Sequence, residues 1–285
     1  MTLELKELSL EQVKQIKELE IRCRREEHLK SEVFLSSSLN AVPQMPCFFL
    51  LYEGEKLISF LSVFFPEMEE GEISAYTQPE YRRKGYFKKL LALAVRHLSF
   101  YGIPRLLFVA EPNGVAAQAV LKRLGASYSH SEFVMKHNGS RPGPVNSVLK
   151  LHEIHGEGLA VLVDVTARVF EEEPQKQAPL VEKAVNAPGI SAYMAVLDSI
   201  PVGVVNVNRE TENASIFGLG ILPDYRHQRL GADMLRLVVE KLLEEGSRPI
   251  TLEVGSNNNY AYRLYISNGF EILSQVDYYL LVSGS

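Results

Sequence analysis

The chain repeats itself. Pro79-Glu80-Tyr81-Arg82 returns as Pro223-Asp224-Tyr225-Arg226, 144 residues later. The same offset, applied without gaps, aligns Leu91 with Leu235, Leu93 with Leu237, Val95 with Val239 and Leu98 with Leu242. It continues through Gly102 and Gly246, Ala117 and Ala261, and Gly125 and Gly269. Self-similarity at a fixed period marks repeated structural units. The 285 residues therefore read as two domains of one plan. Residues 1–137 form one and 146–285 the other, joined across Asn138-Gly-Ser-Arg-Pro-Gly-Pro144, a run of turn formers suited to a linker.

Each copy predicts the same order of elements. A helical region comes first: Ser9 to Lys30 in copy one, with Ser9 and Gln12 placed for a capping box, and Gly158–Glu171 then Gln175–Asn186 in copy two. Strands follow at Cys47–Tyr52, Leu57–Phe65 and Glu72–Thr77, and at Ser191–Leu197, Val202–Asn208 and Ser215–Leu222. The third strand of each set runs into the Pro-x-Tyr-Arg turn. A helix begins there, Tyr86–Tyr101 or Leu230–Glu245, and a glycine stops it. A strand (Leu106–Ala110 or Ile250–Val254), a helix (Val115–Leu124 or Tyr260–Ser267) and a last strand close each copy. Helices interleaved with strands make the class α/β or α+β, with helices covering a mixed sheet.

Composition narrows the function. Lys+Arg 30 against Asp+Glu 35 gives a net charge of −5, a poor balance for gripping nucleic acid. No apolar run approaches the ~20 residues that span a bilayer, and Met1–Glu20 is unlike a secretory signal. No membrane or nucleic-acid partner is expected. Cys23 and Cys47 form no metal-ligand spacing; two buried thiols in a reducing, cytoplasmic setting and no metal are expected. Arg22–Lys30 mixes signs and reads as a solvated helix face. Glu171-Glu172-Glu173 reads as a helix end, with recognition of a cationic acceptor as the alternative.

The strand–turn–helix junction is where chemistry is expected. The first-turn N–H groups of a helix have no internal partners and face anions. The junctions are Arg82-Arg83-Lys84-Gly85-Tyr86-Phe87-Lys88 and Arg226-His227-Gln228-Arg229-Leu230-Gly231-Ala232. Neither is a Walker loop or a dinucleotide fingerprint. Both resemble the acyl-CoA-binding motif of the GNAT superfamily of N-acetyltransferases. Leu252-Glu253-Val254 followed by Asn258-x-x-Ala261-x-x-Leu264-Tyr265-x-x-x-Gly269-Phe270 resembles that family's second half, and most of all its ribosomal-protein alanine N-acetyltransferase branch.

The resemblance implies two tandem GNAT-like domains, each a mixed, mainly antiparallel sheet flanked by helices, with acetyl-CoA as co-substrate. It implies that the backbone of Leu219 and Ile221 pairs with pantetheine and that amides from His227 to Ala232 hold the pyrophosphate. It gives Arg226 a phosphate-binding or loop-shaping role and Asn258 a role in orienting the pantetheine arm. Tyr265 takes the place of the acid that protonates the leaving thiolate, and Glu253 that of the general base. The acceptor it implies is a primary amine, on a small molecule or at a peptide N-terminus. The alternative is an acyl-CoA-binding or protein-interaction module without turnover.

Two departures matter. Arg229 stands where the family has its first glycine, whereas copy one keeps Gly85 but has Phe87 in place of the second. Subtracting 144 from Tyr265, Glu253 and Asn258 gives Leu121, Val109 and Gly114, none able to transfer a proton. Copy two is thus the expected engine and copy one a degenerate partner. A second CoA site, made by Thr77 and Arg82 to Lys88, stays open at this point. So do a monomer, in which the repeat acts as an internal pseudo-dimer, and a homodimer.

Overall fold

A computed structural model describes residues 1–145, 147–209, 212–246 and 249–282. The chain forms two compact units, Met1–Glu132 with Ser274–Ser285, and Phe133–Leu273. The expected second-domain limits, 146 and 285, fall outside the described residues.

Unit 1 begins with β1 (Thr2–Leu5), α1 (Leu10–Glu27), β2 (Phe48–Glu53), β3 (Lys56–Phe64) and β4 (Glu70–Thr77). After a 3₁₀ turn at Pro79–Tyr81 come α2 (Tyr86–Tyr101), β5 (Arg105–Ala110), α3 (Val115–Leu124) and the start of β6 (Ser127–His137). In unit 2, β7 (Lys150–Glu153), α4 (Leu159–Phe170), α5 (Pro174–Asn186), β8 (Ile190–Leu197), β9 (Ile200–Asn208) and β10 (Ala214–Ile221) repeat the plan. A 3₁₀ turn at Pro223–Tyr225 leads to α6 (Leu230–Glu245), β11 (Ile250–Gly255), α7 (Asn259–Ser267) and β12 (Phe270–Val282).

The Ser9 capping box forms as its spacing predicts: Gln12 N–H donates to Ser9 Oγ, and Ser9 N–H to Gln12 Oε1. β1 and β7 are additions to the sequence reading. Each pairs antiparallel with the next strand, Leu3 opposite Leu50 and Leu151 opposite Ala195. The last strand brings a larger difference. In unit 1 the strand beside β5 is β12, with Tyr278 opposite Val109 and Leu280 opposite Leu107. The unit 1 order is β1-β2-β3-β4-β5-β12, and the unit 2 order is β6-β11-β10-β9-β8-β7. Compact units therefore do not follow the halves of the sequence.

The cores explain the helix positions. Leu90, Ala94 and Leu98 of α2 are buried with Phe49, Phe60 and Val63. Met234, Leu235, Val238 and Leu242 of α6 are buried with Val205, Val207 and Ile216. Their 3.6-residue spacing fixes one face of each helix against its sheet. Cys23 and Cys47 are free and buried. Among the described residues no helix is long and apolar enough to cross a membrane.

Candidate active site

The loop between β10 and α6 is held from below. Arg226 Nε donates to Ile221 O (3.1 Å), Nη2 to Val169 O (2.9 Å), and Nη1 meets Glu171 (3.0 Å). These contacts give Arg226 a loop-shaping position, and they take up the first member of the acidic run at 171–173. His227 and Arg229 both have φ of +64°. Alternating left- and right-handed residues turn successive N–H groups to one side, which makes an anion-binding concavity. The N–H groups of Ala232 and Asp233 already donate to Arg229 O, at 3.0 and 3.1 Å. The amides left for a phosphate are therefore those from His227 to Gly231, the ones without intrahelical partners. Unit 1 repeats the loop with φ of +61° at Arg83 and +86° at Gly85. Arg229 thus adopts the backbone that glycine adopts in the other copy.

Next to this cradle the sheet parts. β10 and β11 run parallel and pair only from Ala214/Ile250 to Ile216/Leu252. β10 continues to Ile221 and β11 to Gly255. On its other edge β10 pairs with β9 through a bulge between Phe217 and Gly220, where Gly218 takes φ of +58°. Leu222 N–H donates to Val202 O at 2.8 Å. Backbone groups alternate sides along a strand, so the Ile221 amide points the other way, into the gap. Leu219 lies within the bulge. In unit 1 the parallel pairing of β4 and β5 ends at Ile73/Phe108, and β3–β4 pairing runs without a shift. The bulge is the one residue by which unit 2 exceeds unit 1 between this point and the Pro-x-Tyr-Arg turn.

At the base of the gap lies a cavity of about 220 Å³ lined by Asn208, Ser215, Ile216, Phe217, Gly218, Glu253 and Tyr265. It brings together the two residues the sequence singled out for proton transfer. Tyr265 is 7% exposed and packs against Phe270. Burial raises its pKa above the ordinary phenol value, so the hydroxyl stays protonated at neutral pH. Glu253 is an exposed residue on β11. Asn258 caps α7, its Oδ1 accepting the Ala261 N–H at 3.0 Å. The rings of His227 and Tyr260 meet edge to face at 6.1 Å, so the cradle and the start of α7 are neighbours.

Sequence reasoning missed Asn208, Ser215, Phe217 and Gly218. The available signal was glycine inside a strand pattern, Gly218 and Gly220, which marks a bulge or close backbone approach. In unit 1, Leu121 is buried and Val109 half-buried. Phe64 and Glu72 oppose each other across β3 and β4 there, as Asn208 and Ser215 do across β9 and β10. Among the described residues no group of three or more His, Cys, Asp or Glu could hold a metal ion.

The acetyltransferase (GNAT) family model matches residues 13–126 and again 159–270. The chain belongs to the GNAT family. It is a tandem GNAT protein and an acyl-CoA-dependent acetyltransferase, as the double match and the loop-and-gap geometry of unit 2 agree. A mycothiol acetyltransferase of Brachybacterium faecium is 26% identical over 240 residues, covering 76% of this chain and 69% of that one. The [ribosomal protein bS18]-alanine N-acetyltransferase of Escherichia coli K12 is 34% identical over 74 residues, 26% of this chain and 50% of that one. Among solved structures, a GCN5-related N-acetyltransferase from Sphaerobacter thermophilus superposes with a TM-score of 0.81 at 13% identity, covering 99% of this chain and 95% of that one. A tandem GNAT protein from the clavulanic acid biosynthesis pathway gives 0.72 at 17%, covering 100% and 99%. At those identities the likeness concerns the fold. GNAT enzymes use acetyl-CoA as co-substrate.

Proposed function

We propose that unit 2 moves an acetyl group from acetyl-CoA to a primary amine by direct attack. Pantetheine lies in the gap between β10 and β11, with the Ile221 amide on one side, and the diphosphate on the His227–Gly231 amides. Glu253 takes the proton that an ammonium must lose before its nitrogen can attack. The amine nitrogen bonds to the thioester carbon, a backbone N–H of the bulged strand receives the developing oxyanion, and the carbon–sulfur bond breaks. Tyr265 gives its proton to the departing thiolate and regains one from solvent. The products are an acetamide and free CoA.

The observation that carries this reading is the single cavity shared by Tyr265 and Glu253. The thiols support it. Burial raises Cys23 and pushes Cys47 up to about 11, so neither is a thiolate at neutral pH and no acyl-enzyme is needed. An acceptor amine on a small molecule or at a peptide N-terminus suits the named acetyltransferases to which the chain is similar.

Release of CoA thiol over an amine panel tests the reading. Tyr265→Phe is expected to lower kcat by about 10²–10⁴-fold, while acetyl-CoA still raises Tm. Full turnover in that variant removes the assignment. A thermal shift without thiol release for any amine would favour a binding module.

A further inference from the structure

In unit 1 the equivalent gap is crossed by the chain's own side chains. Glu27, at the end of α1, has a side chain only 11% exposed. One of its oxygens takes Arg82 Nη1 at 2.5 Å and the other the Ala116 N–H at 3.0 Å. Arg82 follows β4 and Ala116 opens the helix after β5. One carboxylate therefore ties the two splayed arms together. Glu111, the residue after β5, is buried, and its Oε1 accepts the N–H groups of Lys30 (2.7 Å) and Ser31 (2.6 Å). Asn113 Nδ2 donates to His28 O at 3.2 Å. The segment from His28 to Ser31 is thereby fixed to the β5 arm. This stretch read as a solvated face in the sequence; the structure buries Cys23 and nearly buries Glu27 because they serve the strand ends beneath them.

Tyr76 adds bulk. It faces Phe60 across β3 and β4, as Gly220 faces Val204 across β9 and β10. Its ring is half-buried against the unit 1 core, on the strand that packs against α1. Unit 2 replaces these ties. The repeat offset puts Gly220 at the place of Tyr76 and Gly255 at the place of Glu111. Glu171, the counterpart of Glu27, is 68% exposed and reaches Arg226, while α7 is capped locally by Asn258. In unit 2 the space beside Gly220 is taken by Val169 and Phe170, and that beside Gly255 by Asn257. The units therefore differ in the tie itself: in unit 1 one carboxylate joins both arms, and in unit 2 Glu171 holds the β10 arm and Asn258 the start of α7.

We propose that Glu27, Glu111 and Tyr76 hold the gap of unit 1 shut against acyl-CoA, so that the chain takes one donor molecule, in unit 2. This rests on the proposed placement of acyl-CoA in a strand gap, and it removes the second CoA site left open by the sequence. The intact loop at Arg82–Lys88 persists in unit 1 as a shape without a route for pantetheine.

Hydrogen exchange of the full chain with and without CoA separates the possibilities. Slower exchange at residues 227–231, none at 83–88, and a calorimetric stoichiometry of one are expected. Protection at 83–88, or a stoichiometry of two, overturns the proposal. Absence of protection at both loops would remove the reading of unit 2 and still leave unit 1 closed. Opening the gap gives a positive arm. Tyr76→Gly with Glu111→Ala is expected to speed exchange at Lys30 and Ser31 and to bring 83–88 under protection by CoA. Faster exchange at 30–31 with 83–88 still unprotected would show that these side chains are not what closes the gap. Glu111→Ala alone serves should the double variant not fold. It is expected to speed exchange at 30–31, and unchanged exchange there would equally deny the closure.

Discussion

Arg226 and Glu171 meet at 3.0 Å, and Arg82 and Glu27 repeat the pair at 2.5 Å, 144 residues earlier in both partners. In each unit the guanidinium also donates through Nε to the last residue of the strand before it, Ile221 at 3.1 Å and Thr77 at 3.2 Å. The cradle is thus anchored to the first helix of its own unit. The anchors differ in strength within unit 2. Glu171 is largely exposed, so its pair is worth under ~1 kcal/mol. The bonds to Ile221 and Val169 carbonyls are charge-assisted and stronger. Arg226→Ala is expected to cost about 2 kcal/mol in denaturant unfolding and to raise KM for acetyl-CoA. Glu171→Gln is expected to cost less than ~1 kcal/mol. Equal losses from the two would show the carboxylate to be the main anchor.

Arg229 sits at φ +64° and Gly85 at +86°. An L-residue in that region carries a cost of about 1–2 kcal/mol, partly offset because glycine loosens the unfolded chain by about 0.4–1 kcal/mol. Arg229→Gly is therefore expected to stabilise by up to about 1 kcal/mol, with affinity for acetyl-CoA unchanged or tighter. Unfolding and calorimetric binding measure both. A loss of stability would mean that the arginine side chain contributes contacts of its own.

A Cβ on Gly220 would stand 2.2 Å from Val169 Cγ1, and one on Gly203 2.6 Å from the carbonyl oxygen of Gly220. Helix α4 therefore seats directly on the bulged strand. Gly220→Ala is expected to destabilise by about 1–3 kcal/mol through overpacking and to lower kcat by displacing the bulge. Gly143→Ala, with nothing within 4 Å of its Cβ, is the control and is expected to stay within about 0.5 kcal/mol. Matching melting points for the two variants would contradict the close seating.

Much of this fold is written locally. The ends of α2, α3 and α6 follow from apolar periodicity and glycine stops, and they fall where the pattern puts them. β1 and β7 escaped because four residues, such as Thr2–Leu5, are too few to show alternation inside a charged segment. The partner of β5 also escaped, since pairing between residues 105–110 and 277–282 leaves no local trace. Tyr265 and Glu253 came from the resemblance to the second half of the GNAT pattern, and the structure places both on one cavity. Their neighbours Asn208 and Phe217 come from other strands and depend on the bulge register. The Arg226–Glu171 tie was hidden because an acidic run at a helix end looks the same whether or not one member has a distant partner.

Glu72 gives the sharpest dependence on pH. Burial, then repulsion from Glu132 and Glu70, pushes its carboxyl up to about 7 from an ordinary 4.5. Glu132 is held nearby by the Tyr278 hydroxyl at 2.9 Å, and Glu70 faces Arg105 at 3.6 Å. Because the folded pKa lies above the unfolded one, the folded state binds the extra proton. The stability this group contributes is complete below about 4.5 and is lost as pH rises through about 7. Glu72→Gln keeps the neutral shape at every pH. It is expected to melt close to the parent at pH 5 and several degrees above it at pH 8, an order of magnitude set by about 1–2 kcal/mol in a domain of this size. The check is the difference in Tm between variant and parent, measured at both pH values in one buffer series. A difference that does not change with pH would mean that Glu72 is ionised in the folded chain throughout, with its charge met by water or by a cation.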